Sequence, residues 1–132
     1  MCAMCSDTTI CSMERTMLIV DDHAGYRRQA RTLFTSGGYV VIGEAGDVAS
    51  GVRAAAELRP AVVLLDVQLP DGDGFEAAGK MLAVVAPPAV VLISSRDAVD
   101  YGGRIAASGA RGFISKGDLS VGALDELLGA DP

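Results

Sequence analysis

A chain of 132 residues, 50% hydrophobic and 21% charged, has the size of one domain built round one buried core. Apolar residues are too plentiful, and the net charge of −6 (11 basic against 17 acidic side chains) too small, for a disordered chain. That acidic balance argues against direct nucleic-acid contact, which needs a basic face to displace counterions from phosphates. No apolar run approaches the ~20 residues of a membrane-spanning helix; the best, Ala89 to Ile93, follows two prolines. The N-terminus has no basic start followed by an apolar block, so no secretory signal is expected and the cytoplasm is the expected compartment.

Residues 1–16 read as a disordered polar tail, and 17–129 as the folded domain. The three cysteines, Cys2, Cys5 and Cys11, all fall in the tail. An odd number outside the core makes no disulfide framework and suits a reducing compartment. Cys2 and Cys5 have C-x-x-C spacing but precede the first strand. Zinc would need four ligands, and only Cys11 and His23 could add to them, so an inert tail is the expectation. Met13 reads as a candidate alternative start.

Four runs are apolar without alternation: Met17 to Val20, Val40 to Ile42, Val62 to Leu65 and Val90 to Ile93. Such runs fit strands covered on both faces. Phe113 and Ile114 form a shorter fifth strand before a polar turn at Ser115 to Asp118. Between the strands the period becomes helical. Tyr26, Ala30, Leu33 and Phe34 make one stripe, opposite Arg27, Arg28 and Arg31, and Gly37 and Gly38 close that helix. Val48, Val52, Ala55 and Leu58 make the next, behind Asp47 as N-cap and ahead of Pro60. Phe75, Ala78, Leu82 and Val85 follow, and Val121, Leu124 and Leu128 form the last. The segment Asp97 to Ser108 should be a helix too, but Gly102 and Gly103 inside it cost up to ~1 kcal/mol each relative to alanine, so it is expected to be short or partly melted.

The alternation predicts an α/β, doubly wound (βα)5 fold with a five-stranded parallel sheet and helices on both faces. In such sheets ligands sit outside the carboxyl ends of the strands. Reading those ends gives Asp21 and Asp22, Asp66, Ser94 and Ser95, and Lys116. In the common strand order 2-1-3-4-5, strands one and three are neighbours, so the three aspartates crowd together. Two carboxylates ~4 Å apart repel by about 4 kcal/mol at an effective dielectric near 20, so a cation must compensate. Mg²⁺ suits a few carboxylates, a carbonyl and a phosphoryl group, and is the expected cofactor. The bland alternative, turn and cap residues, explains each aspartate singly but not the whole set.

Four segments carry a resemblance from Thr16 to about Leu128: Leu18-Ile19-Val20-Asp21-Asp22-His23; Val63 through Asp66 to Gly74; Leu92-Ile93-Ser94-Ser95; and Gly112-Phe113-Ile114-Ser115-Lys116. Together they resemble the receiver domains of bacterial two-component response regulators, which have a flavodoxin-like fold. The resemblance implies that Asp66 accepts a phosphoryl group from a phosphohistidine of a sensor histidine kinase or phosphotransfer protein. Mg²⁺ would be bound by Asp21, Asp22, Asp66 and the backbone carbonyl of Gln68. Lys116 and Ser94 would contact the phosphoryl oxygens, and Phe113 is the implied aromatic switch following Ser94. Gln68 and Arg96 stand where the family implies tuning of water attack, beside a plain reading as solvated loop residues. Signalling would leave through the face of helix four, strand five and helix five, toward an unknown downstream protein, and a homodimer is left open.

The pattern departs from the family where Gly117, not proline, follows Lys116. The acid pair, the histidine and this lysine look most like receivers that precede helix-turn-helix output domains, here without the output domain. Such a protein is a switch and not a metabolic enzyme; the alternative is a pseudo-receiver, an interaction module not controlled by phosphorylation. Gly74 to Met81 comes within one residue of a P-loop, but begins eight residues beyond Asp66 and lacks the Ser or Thr hydroxyl. Flavin binding on the same fold is disfavoured by Asp21 and Asp22. His23 reads as a helix-entry residue.

Overall fold

The structure is a computed structural model that describes residues 15–129. Its elements are β1 (Thr16–Val20), α1 (Ala24–Ser36), β2 (Val40–Ala45), α2 (Val48–Leu58), β3 (Val62–Asp66), α3 (Gly74–Leu82), β4 (Ala89–Ser94), α4 (Arg104–Ala107), β5 (Gly112–Ser115) and α5 (Val121–Leu127). A small antiparallel hairpin, Gln68–Leu69 with Gly72–Asp73, lies between β3 and α3, and 3-10 turns cover Ala98–Tyr101 and Lys116–Asp118. The five strands are parallel, as the alternation of patterns predicted, and follow the common order β2-β1-β3-β4-β5. Among the described residues, no helix is long and apolar enough to cross a membrane.

Because side chains alternate across a strand, each strand feeds two cores. Leu18, Val20, Val63, Leu65 and Leu92 point to one face, where Ala55 of α2 and Ala77, Ala78 and Met81 of α3 cover them. Met17, Ile19, Leu64, Val91 and Ile93 point to the other, against Ala30 and Phe34 of α1 and Leu124 of α5. Three helices start on side-chain caps. Asp47 accepts the Ser50 amide at 2.8 Å, Asp73 that of Glu76 at 2.8 Å and Ser120 that of Ala123 at 3.0 Å. Asp71 reaches across from the hairpin and accepts the Val48 and Ala49 amides at 2.7 and 3.1 Å, a second cap on α2.

Several sequence expectations need correction. Thr16 is not tail but the first residue of β1, where its hydroxyl accepts the Ala61 amide at 2.9 Å. Residues 1–14, with the three cysteines, lie outside the described residues. β2 is an edge strand, so Val40 is exposed and Val41 and Ile42 only partly buried: one side of the strand has no neighbour to cover it. α3 stops at Leu82, and Val85 is fully exposed instead of extending the stripe; Pro87 and Pro88 follow and disfavour helix before them. Leu33 and Leu58 also lie on the solvent side of their stripes.

The segment after β4 breaks as its glycines suggested. A 3-10 turn ends at Tyr101, Gly102 takes φ +59° and ψ −133°, which only glycine adopts readily, and α4 has just four residues, none of them buried. A second glycine is needed for close approach. The Gly74 amide donates to the Val67 carbonyl at 2.7 Å, and a Cβ there would lie 2.5 Å from the Asp66 carbonyl oxygen. Gly74→Ala is therefore expected to destabilise the fold by about 1–3 kcal/mol through overpacking against rigid backbone. Gly79→Ala, in open space on the exposed side of the same helix, should stabilise it by roughly 0.5–1 kcal/mol. Urea denaturation of the two variants checks this opposite pair of signs.

Candidate functional site

Strand ends bring the acids together. β1 and β3 are neighbours in register, Val20 beside Leu65, so Asp21 and Asp66 emerge side by side at the carboxyl edge. Two peptide hydrogen bonds pin that edge: the Asp21 amide to the Ala45 carbonyl at 3.0 Å, and the Val67 amide to the Ile93 carbonyl at 2.9 Å. Asp21, Asp66 and Ser94 are the buried polar side chains among the described residues, whereas Asp22 is exposed. A groove of about 420 Å³ between α2 and α3 lies at the opposite edge beside Pro60 and Pro88 and touches none of these residues.

Lys116, from the turn after β5, lies between the two buried carboxylates. Its Nζ is 2.6 Å from Asp21 Oδ2 and 3.2 Å from Asp66 Oδ2, and stands 4.4 Å from the centre of the Tyr26 ring. Burial alone would lower the lysine pKa, but hydrogen bonding to Asp21 and the charges of Asp66 and Asp21 outweigh it and hold it above its usual value. Burial pushes the Asp66 carboxyl the other way from an ordinary ion-paired acid, upward, and the Asp21 charge adds to this; the Gln68 amide at 3.1 Å and Lys116 offset part of the rise. Tyr26 is pushed up to about 12 by burial and by the Asp21 and Asp66 charges. Its hydroxyl is buried and has no hydrogen-bond partner among the described residues.

The other side of the site is hydroxylic and aromatic. Ser94 Oγ accepts the Arg96 amide at 3.0 Å and lies 2.7 Å from Tyr101 Oη. The Tyr101 ring sits 5.5 Å from Phe75 and 5.8 Å from Phe113, and the Arg104 guanidinium caps Phe75 at 4.3 Å while reaching Asp73 at 3.1 Å. Of the sequence-predicted site, Asp21, Asp66 and Lys116 meet directly, and Asp22 joins through His23, whose Nδ1 is 3.0 Å from Asp22 and 3.2 Å from Asp21. Ser94 is at its strand end, and half-buried Phe113 reaches it by way of Tyr101. The Gln68 and Arg96 side chains point to solvent. Tyr26, Tyr101 and the Arg104–Phe75 contact were not signalled by the sequence. The one available hint for Tyr101 was an aromatic residue in a glycine-interrupted segment.

Asp21, Asp22, His23 and Asp66 each offer a ligand atom within 4.8 Å of the others. Three carboxylates face a single ammonium, which leaves an excess of negative charge on an oxygen-rich site. That donor set fits a hard divalent cation such as Mg²⁺.

The comparisons agree with this geometry. The sequence model of the response regulator receiver domain matches residues 17–125, and the chain belongs to that family. A putative transcriptional regulator of Pseudomonas aeruginosa is 31% identical over 85% of the chain and 52% of its own length. The chain thus spans about half the length of such a curated relative. Among solved structures, a two-component response regulator of the LuxR family from Aurantimonas sp. SI85-9A1 superposes with TM-score 0.78 at 26% identity, covering 86% of this chain and 85% of that one. A CheX–CheY–BeF3–Mg²⁺ complex from Borrelia burgdorferi gives TM-score 0.76 at 25% identity, with 87% of each chain covered.

The raised Asp66 value has a consequence for stability. The stability this carboxyl supplies is complete below the ordinary value of 3.8 and is lost as pH rises through the higher folded value, because the folded state then carries a buried charge. In magnesium-free buffer, Asp66→Asn should accordingly raise the melting temperature at neutral pH and flatten the decline in stability from acid to neutral pH. Thermal melts of both proteins across that range measure it.

Proposed function

We propose that the chain is a phosphorylation switch in which Asp66 is the phosphoacceptor. The observation that carries this is the buried Asp66 carboxylate at the end of β3, held above the usual carboxylate range yet facing Lys116 Nζ at 3.2 Å. A phosphorelay partner, a sensor histidine kinase or a phosphotransfer protein, would present a phosphohistidine. One Asp66 oxygen attacks the phosphorus in line, the P–N bond breaks as the P–O bond forms, and the imidazole leaves.

Asp21, Asp22, Asp66 and the Gln68 backbone carbonyl would hold Mg²⁺, which when bound neutralises charge on the transferring group. The residues of the chain do the rest. Lys116, already beside the nucleophile, pairs with a phosphoryl oxygen, and the Ser94 hydroxyl donates to another. Gln68 and Arg96, both exposed, would tune how water reaches the acyl phosphate. Phe113 follows Ser94 as the aromatic switch on β5. We read the chain as a signalling component that catalyses only its own phosphorylation and dephosphorylation, acting in the cytoplasm on a downstream protein through α4, β5 and α5.

Incubation with Mg²⁺ and acetyl phosphate, followed by intact mass measurement, tests the reading. Wild type should gain one phosphoryl group, Asp66→Asn none, and Lys116→Ala should react about 100-fold more slowly, the size of losing one charge-stabilising donor. An unmodified wild type would instead make the chain an interaction module outside phosphorylation control.

A further inference from the structure

Ser94 is fully buried, and its hydroxyl is engaged twice. Its oxygen accepts the Arg96 amide at 3.0 Å, and Tyr101 Oη lies 2.7 Å away. A serine hydroxyl carries one hydrogen. Since the Arg96 contact uses an amide donor, Tyr101 Oη is the acceptor among the described residues to which Ser94 can give that hydrogen. Buried donors are rarely left unpaired, whereas half-buried Tyr101 can turn its own hydrogen toward solvent. Tyr101 is fixed for this contact by its neighbours. Its ring is held between Phe75 at 5.5 Å and Phe113 at 5.8 Å, and Gly102 at φ +59° ends the turn behind it.

We infer that Tyr101 is a positioning residue that competes with the phosphoryl group for the single hydrogen of Ser94, and so sets how readily the Asp66 site fills. This rests on the reading of Asp66 as phosphoacceptor. A phosphoryl oxygen is an anionic acceptor and makes the stronger, charge-assisted bond, so on its arrival Ser94 exchanges Tyr101 for the phosphoryl. Tyr101 then loses its polar tie to β4, and with it the turn Ala98–Tyr101 and α4 lose one anchor on the sheet. Phe113 has no hydroxyl and answers through its ring contact with Tyr101, so the signal passes from Ser94 through Tyr101 to Phe113.

The test is calorimetric titration with Mg²⁺ and BeF3⁻, a stable stand-in for the phosphoryl group, on wild type, Tyr101→Phe, Ser94→Ala and the double variant. Phenylalanine keeps the ring packing and removes only the oxygen. Tyr101→Phe should bind the probe roughly 2- to 10-fold more tightly, the equivalent of one ordinary neutral hydrogen bond no longer broken on binding. In the Ser94→Ala background the same change should have no effect, which a merely structural role for Tyr101 would not produce. Equal or weaker binding by Tyr101→Phe, with wild type binding normally, overturns the competition and leaves the phosphoacceptor reading standing. An equal gain in both backgrounds overturns the link through Ser94. A wild type that takes up no BeF3⁻ overturns the phosphoacceptor reading and this inference with it.

Discussion

The carboxyl edge of the sheet is organised by one ammonium shared between two buried carboxylates, Lys116 between Asp21 and Asp66. Three strands must end in the correct relative register for that contact to exist, because the acids leave β1 and β3 while the lysine comes from beyond β5, two strands away in the sheet. A short side chain could not make the crossing over β4. Lysine does so with a long flexible stem and a compact charge at its tip, which stands over the Tyr26 ring. Removing the lysine would leave two buried carboxylates without their cation, a loss that commonly costs about 3–5 kcal/mol, so the geometry of this triad and the stability of the sheet edge are tied together.

The same triad is electrostatically incomplete. Asp66 remains above its usual range although a cation touches it, since desolvation and the Asp21 charge outweigh the lysine. With Asp22 and His23 adding ligand atoms within 4.8 Å, the site holds more negative charge than the protein itself balances. A fold selected for stability alone would have little reason to bury such a group. The cost is understandable if the charge is there to be met by a cation.

How far the sequence revealed this depended on the kind of interaction. β1, β3 and β4 are buried on both faces, so their apolar runs were unmistakable, and residues following such runs could be assigned to one edge without knowing any contact. β2 misled because an edge strand can be as apolar in sequence as a central one; its exposure follows from having one neighbour, a property of the sheet and not of the segment. α3 misled because Val85 continues the helical stripe while the prolines beyond decide where the helix stops. Tyr101 was hidden for a different reason. It stands seven positions after Ser94 across a 3-10 turn, and no period relates the two; only the packing of Phe75 and Phe113 around it brings its hydroxyl to the serine. The switch role of Phe113 was visible through the family resemblance alone, and that resemblance carried no hint of the tyrosine between it and Ser94.

The weak segment and the site are adjacent, and this bears on where a conformational change can occur cheaply. α2, α3 and α5 have side-chain caps, and those helices and α1 all bury residues in one of the two cores. The stretch from Ala98 to Ala107 buries none, is split by Gly102 and Gly103, and keeps its place through the contacts of Tyr101 and Ile105 with the core beneath. Local opening is easiest where few apolar contacts and few regular hydrogen bonds must be given up. A single hydrogen bond to Ser94 is a minor term in a fully packed helix but a substantial share of what orders this segment. Placing the exchangeable bond there lets an event of one hydrogen bond at the sheet edge be felt across the whole of α4, while the sheet that aligns Asp21, Asp66 and Lys116 stays as it is.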